Sequence, residues 1–338
     1  MKHEEDLIRW LRDNIPPLPD MQIGIGDDAA VLNVPDDSQL VVSTDSLVED
    51  VHFLLDRVAP IILGRKAMRV NLSDLAAMAA RPLFSLLSLT VPKKCRSQLF
   101  LEGILEGVIK EALHWEAPLI GGNISRGEKF QITITIGGTV ARGTAILRSG
   151  CNPGDSIYVL GRIGHSGAGL RFLSQCTPVT PLPREEEAIL RWVDNSWDAL
   201  CIRSHLLPEP QLEGARWLSS RRLATSMIDT SDGLARDLLR LCQASQVDLV
   251  IHPKGLESLR LQADDRIDTL DILEGGEDYA LLFSCPTGKE EDLSHFPKDI
   301  GTPIWIAKAR ASTGNLLVVK SSSGVEEKYA PRGFDHFQ

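Results

Sequence analysis

Apolar positions recur at helical spacing near the start of the chain, where Leu7, Trp10 and Leu11 fall on one side of residues 4–14 and predict an amphipathic helix. Short strands follow at 29–34 and 40–44. The stretch "PIILGRKAMRVNLSDLAAMAA" carries Leu63, Ala67, Val70 and Met78 on a helical period, which predicts a helix over 60–80 with a break near Asn71. "LFSLLSLTV" and "FQITITIGGTVA" run or alternate as strands do, on either side of a helix expected over 97–115. Beyond the loop "LRSGCNPGD" come a strand to Gly161, a helix over 165–174, a polar stretch containing prolines and the strand "ATSMID". The helix "SDGLARDLLRLCQAS" and the strands "YALLFSC", "PIWIAKAR" and "NLLVVK" complete the second half. Strands are grouped more than interleaved, so the pattern is α/β with an α+β-like sheet. A chain of 338 residues is long for one core, and the expected division is 1–147 and 148–338.

Composition narrows the classes of function. Hydrophobic residues at 43% and charged residues at 24% are ordinary for a globular protein. The net charge of −10, with no basic stripe, argues against a nucleic-acid partner. The six cysteines are scattered without a C-x-x-C pair, so reduced thiols are expected rather than a zinc knuckle or a disulfide framework. No apolar run is long enough for a membrane span, and the charged start "MKHEEDLIRW" lacks the layout of a secretory signal; a cytoplasmic protein is expected.

Acidic residues beside small ones recur along the chain, in "GDD" (Asp27, Asp28), "STDS" (Asp45), "NLSD" (Asp74), "IDTSDG" (Asp229, Asp232) and "GGED" (Glu277, Asp278). Each alone reads as a cap or a solvated loop end. Several follow strand-like segments, and strand ends are where α/β proteins gather functional groups. Gathered together, so much like charge requires cations. Oxygen ligands without histidine or cysteine point to Mg²⁺, which completes its shell with water and phosphate oxygens. A phosphate compound is therefore the expected ligand, since repulsion of roughly 4 kcal/mol per close unit pair near a protein surface would otherwise exclude it. A helix starting near Ser231 would add an anion-binding N-terminus flanked by Asp229 and Asp232. Arg126 and Arg148 offer cations beside glycine-lined backbone. "GHSGAG" reads as a helix entry, and the lone histidines His114, His205 and His295 receive no role. Walker and protein-kinase motifs are missing from the sequence.

Taken in order, "GIGDDAAVL", "STDSLVEDVHF", "RKAMRVNLSDLAAMAA", "GGNISRG", "RSGCNPGD", "IDTSDGLARDL", "GGEDYALLF" and "GFDHF" resemble the motifs of the thiamine-monophosphate kinase family. That family belongs to a superfamily with aminoimidazole ribonucleotide synthetase and selenophosphate synthetase. The resemblance spans nearly the whole chain. It implies a two-domain fold of that superfamily, with an N-terminal sheet that pairs across a homodimer and a C-terminal α/β domain covering the nucleotide. It also implies ATP-dependent phosphorylation of thiamine monophosphate to thiamine diphosphate with several Mg²⁺ ions. Carried over by motif, Asp28, Ser43, Thr44, Asp45, Asp74, Asn123, Asp229 and Asp232 would surround the metals. Gly122, Asn123, Arg148 and Ser231 would meet ATP, and His52, Glu277 and Phe334 would hold the acceptor. Asp27 would support Asp28 from the opposite side of an extended segment.

The attacking atom in such a reaction is an oxygen of an anionic phosphate, so no general base is expected, and metal ions offset the repulsion between the two reactants. Direct in-line transfer without a phosphoenzyme follows. Three positions depart from the family pattern. Asn123 stands where aspartate is usual, Asp50 where glycine is common, and Gln211 where arginine is frequent. The charge lost at Asn123 motivates an alternative, a nucleotide-binding member of the superfamily with weakened or different ATP-dependent chemistry.

Overall fold

The structure, a computed structural model, describes residues 9–11, 13–15, 21–23, 25, 29–175, 196–263, 267–314 and 316–332. The expected first helix is helical at its described positions, residues 9–11 and 13–14. Asp27, Asp28, the proline-containing stretch 176–195 and Phe334 lie outside the described residues. The chain divides into two compact units, with the change-over between Gly143 and Thr144 and with Ala76–Ala79 counted in the second.

In the first unit, β1 (Met21–Ile23) pairs antiparallel with β2 (Val31–Leu32). The elements β3 (Ser38–Val48), α1 (Pro60–Ala77), β4 (Arg81–Val91), α2 (Gln98–His114), β5 (Leu119–Arg126) and β6 (Gln131–Ala141) follow. Among the described residues they build a four-stranded sheet in the order β3-β6-β4-β5, antiparallel except for the β4/β5 pair. Register sets the two faces, because directly paired residues share a side. Ser43, Asp45 and Leu47 pair with Ile136, Ile134 and Ile132, which are fully buried. Leu40, Val42 and Thr44 alternate onto the other face, where Leu40 and Val42 are exposed.

Helix α1 runs unbroken through Asn71, against the expected break. The Asn71 amide is absorbed locally and across the sheet: its Nδ2 donates to the Ala67 carbonyl at 2.9 Å, and its Oδ1 accepts the Asp45 amide at 2.9 Å. A polar side chain that finds both partners has no reason to break the helix. Strand β5 was hidden from pattern reading by two glycines and an asparagine, all poor strand formers. Gly122 is needed there, because a Cβ at that position would lie 1.9 Å from the Leu87 carbonyl oxygen on β4.

The second unit holds β7 (Ser156–Leu160), α3 (His165–Gln175), α4 (Ser196–Leu206), α5 (Leu212–Ser220), β8 (Ser226–Asp229) and α6 (Leu234–Ser245). After them come β9 (Val247–Ile251), α7 (Pro253–Ala263), α8 (Thr269–Glu274), β10 (Leu281–Cys285), β11 (Ile304–Ala311), β12 (Leu317–Lys320) and β13 (Glu326–Lys328). The sheet order is β13-β12-β9-β11-β7-β10-β8, antiparallel except for β12/β9. Every residue of β10 is buried, as expected for a strand flanked on both edges and packed on both faces. Helix α6 buries Leu234, Ala235, Leu238, Leu241 and Cys242, the stripe of an amphipathic helix, and each large side chain so buried contributes about 1.5–3 kcal/mol. The two units together form a mixed α/β fold with the α+β-like grouping of strands that the sequence predicts.

Candidate active site

The pairing of β8 with β10 brings two acidic motifs together. Asp229 faces Leu281 at the end of this ladder, so the loop leaving β8 and the loop entering β10 emerge side by side. Backbone hydrogen bonds extend the contact into the loops: Thr230 N to Ala280 O at 2.9 Å, Tyr279 N to Thr230 O at 2.8 Å and Glu277 N to Ser231 O at 2.8 Å. "DTSDG" and "GGED" are thereby zipped together, with Asp229 buried at the strand end and Ser231, Asp232 and Glu277 half-buried. Glu277 and Tyr279 both adopt left-handed backbone, φ 62° and 51°. For residues other than glycine this costs about 1–3 kcal/mol each, a pattern that clusters at functional loops.

Helix α6 starts at Leu234 and not near Ser231. Gly233, with φ 113° and ψ 143°, is outside helical space, so Ser231 and Asp232 stand in the loop ahead of the helix and Ser231 is not its cap. Asp232 is tied to α6 by Arg240, whose second nitrogen, Nη1, meets Asp237 Oδ1 at 2.6 Å. Asp237 is fully buried, and burial pushes its carboxyl up to about 6 although Arg240 opposes the shift.

Asp278, beside Glu277, caps α3: its Oδ2 accepts the Gly164 amide at 2.6 Å and its Oδ1 the Ser166 amide at 2.9 Å. "GHSGAG" is the helix entry that the sequence predicts. Burial pushes Asp278 up to about 7, against two amides that favour the anion. Asp278 also lines a cleft of about 340 Å³ with Arg162, Arg203, Gln211 and Lys298.

In the first unit, Ser43 donates from Oγ to Asp74 Oδ2 at 2.5 Å, bringing β3 and α1 together beside Asp45. Thr44 points to the other face and spends its hydroxyl on the Ile134 carbonyl and on Thr135, at 3.1 and 3.0 Å. Asn123 pairs with Ser88 on β4, which pairs with Thr133 and then Ser46, placing Asn123 on the open face of the far edge strand. Three strand spacings, roughly 14 Å, separate it from β3. Within one chain, therefore, the sheet does not bring Asn123 to Ser43, Asp45 and Asp74.

His52 sits in a tight turn and accepts the Val48 amide on Nδ1 at 3.1 Å, which leaves the neutral ring's proton on Nε2. In the same turn Asp50 has φ 65°, a left-handed conformation that favours glycine. Asp50 pairs with Lys129, and the Lys129 ammonium holds its carboxyl below the usual range.

Residues 26–141 match the family described as AIR synthase related protein, N-terminal domain. Thiamine-monophosphate kinase of Salmonella typhimurium is 36% identical over 323 residues, covering 94% of this chain and 93% of that protein. The chain belongs to the thiamine-monophosphate kinase family. Among solved structures, thiamine-monophosphate kinase from Stenotrophomonas maltophilia K279a matches with a TM-score of 0.77 at 29% identity, over 93% of this chain and 94% of that one. AaThiL complexed with AMPPCP and TMP matches with a TM-score of 0.72 at 28% identity, over 100% of this chain and 99% of that one.

For a member of this family the donor set is chemically suited to magnesium. Ser43, Asp45 and Asp74 in one unit, and Asp229 and Asp232 in the other, are hard oxygen donors with no thiol among them. Among the described residues, no group of three or more His, Cys, Asp or Glu side chains is placed to hold a metal ion. Arg148 is exposed, and its carbonyl accepts the Ser245 hydroxyl at 2.9 Å. His205, Arg240 and Asp237 are further residues that the structure brings to these loops. Arg240 and Asp237 follow Asp232 on the first turns of α6, a spacing that could have shown them.

Proposed function

We propose that this chain transfers the γ-phosphoryl group of ATP to the phosphate of thiamine monophosphate, giving ADP and thiamine diphosphate in a Mg²⁺-dependent reaction. The observation that carries the reading is the backbone zipper between "DTSDG" and "GGED", which gathers Asp229, Ser231, Asp232 and Glu277 at one sheet end. We assign Ser43, Asp45, Asp74, Asp229 and Asp232 to magnesium together with Asp28, and Gly122, Asn123, Arg148 and Ser231 to ATP. His52, Glu277 and Phe334 are assigned to the acceptor.

Bound magnesium would supply the positive charge that lets two phosphate groups approach. The chain's own residues do the rest. Ser43 orients the Asp74 carboxylate, Asn71 fixes the backbone at Asp45, and Arg240 holds Asp232. Because the attacking oxygen is already anionic, alignment and charge neutralisation are the tasks, and no side chain has to remove a proton. The open face of the first unit's sheet, where Leu40 and Val42 are exposed, is offered as the surface for a second copy. Among the described residues no helix is long and apolar enough to cross a membrane, which supports a cytoplasmic placement.

Transfer from ATP made chiral at the γ-phosphorus tests both the reaction and its course. Thiamine diphosphate of inverted configuration is expected. Retention would show a phosphoenzyme, and an absence of labelled thiamine diphosphate would overturn the reading.

A further inference from the structure

His205, on α4, is buried at 4% exposure. Its Nδ1 lies 3.0 Å from the hydroxyl of the fully buried Ser166 and 3.4 Å from Oε2 of Glu277. A carboxylate oxygen only accepts, so a bare Nδ1 lone pair facing it would be repelled; a hydroxyl can take either role. With the proton on Nδ1, both contacts are favourable: the N–H meets the Ser166 oxygen and faces the Glu277 carboxylate. Because both contacts use the same ring nitrogen, this is not a nucleophile triad, in which the imidazole bridges its partners through two nitrogens.

The anchoring continues behind His205. The Ser166 amide is held by Asp278, the neighbour of Glu277, so both ends of the contact trace to one loop. The Glu277 backbone is fixed by Ser231 and by its left-handed φ of 62°. Its side chain keeps 24% exposure, enough for the carboxylate to reach a ligand. His205 Nδ1 is a neighbour that can set the carboxylate's direction.

We infer that His205 is a positioning residue for acceptor binding: its Nδ1–H, seated on Ser166, holds the Glu277 carboxylate in the direction from which it meets the cationic thiamine moiety. This rests on the assignment of Glu277 to the acceptor made above.

The test compares His205→Leu, which removes the donor, with His205→Asn, whose amide nitrogen lies close to the place of Nδ1. For His205→Leu the KM for thiamine monophosphate is expected to rise about tenfold or more, the scale of one hydrogen bond to a charged group. The KM for ATP should stay within about twofold, and His205→Asn should recover most of the loss, since it keeps the donor. Equal increases in both KM values, or no difference between the two variants, would overturn the inference. If His205→Leu does not fold, Ser166→Ala removes the seat alone and should raise the acceptor KM selectively; an unchanged value would count against the role. Crystal structures of the variants give a readout independent of turnover. The Glu277 carboxylate should leave its place in the variants that lose the donor or its seat and keep it in His205→Asn, and a carboxylate unmoved throughout would refute the role. A wild-type chain that makes no thiamine diphosphate would overturn the proposed activity, while the carboxylate position would still decide the part played by His205.

Discussion

Ser43 and Asp74, thirty-one residues apart in sequence, share a hydrogen bond of 2.5 Å that links strand β3 to helix α1. The serine side chain faces the helix because β3 alternates, and its neighbour Thr44 faces away. Removing the hydroxyl should loosen Asp74 more than it loosens the fold. Ser43→Ala is expected to raise the Mg²⁺ concentration for half-maximal rate by about 10–100-fold, the usual cost of losing a group that orients a metal ligand. A magnesium titration at saturating ATP reads this directly, and an unchanged midpoint would remove Ser43 from the metal site.

Gly122→Ala should be destabilising before any effect on nucleotide binding is considered. Its new Cβ would meet the Leu87 carbonyl at 1.9 Å, so β4 and β5 would have to separate. Overpacking of this kind costs about 1–3 kcal/mol, and contact with rigid backbone favours the upper end. Urea unfolding measures it; a variant as stable as the parent would mean that β5 is not paired as described.

Arg240→Met should cost about 3–5 kcal/mol, because it leaves the buried Asp237 carboxylate without its cation. The contact with the partly exposed Asp232 adds little to that figure. A double variant, Arg240→Met with Asp237→Leu, should recover much of the loss, since no carboxylate is then left buried without a cation. Thermal unfolding of the three proteins separates these terms, and a single variant with unchanged stability would contradict the burial argument.

Asp278 sets a pH dependence with a definite sign. Its folded carboxyl is pushed up to about 7, whereas an unfolded aspartate ionises near about 4. Between those values the folded chain holds a proton that the unfolded chain has lost, so this group's contribution to stability falls as pH rises and levels off above the folded value. Asp278→Asn cannot ionise. Its stability relative to the parent should therefore improve from pH 4 to pH 7, as read by urea unfolding at a series of pH values. Parallel curves for the two proteins would contradict the shift.

Local pattern is enough to find the elements whose signals are local. Helix α2 and strands β4, β6 and β10 follow from apolar runs and alternation, and the acidic motifs are visible as small-residue loops. Their meeting is not visible. "DTSDG" and "GGED" join only because β8 pairs with β10, some fifty residues along the chain, and nothing in either motif encodes the partner. Strand β5 is concealed by Gly121 and Gly122, the second of which is needed for close backbone contact with β4. His205 gave no signal, since its surroundings come from Ser166 and Glu277 in distant segments. The start of α6 was legible in principle: glycine after "SD" marks backbone that a helix cannot use, and it was outweighed by the preference for serine as a cap.

The most direct measurement mixes the purified chain with ATP, Mg²⁺ and thiamine monophosphate and follows the phosphorus signals of the products with time. Thiamine diphosphate and ADP should appear in equal amounts, stop forming when the metal is chelated, and fall to background in an Asp74→Asn, Asp232→Asn double variant that remains folded. ATP binding without thiamine diphosphate, or formation of product undiminished in that variant, would contradict a reaction run by magnesium held on these acids.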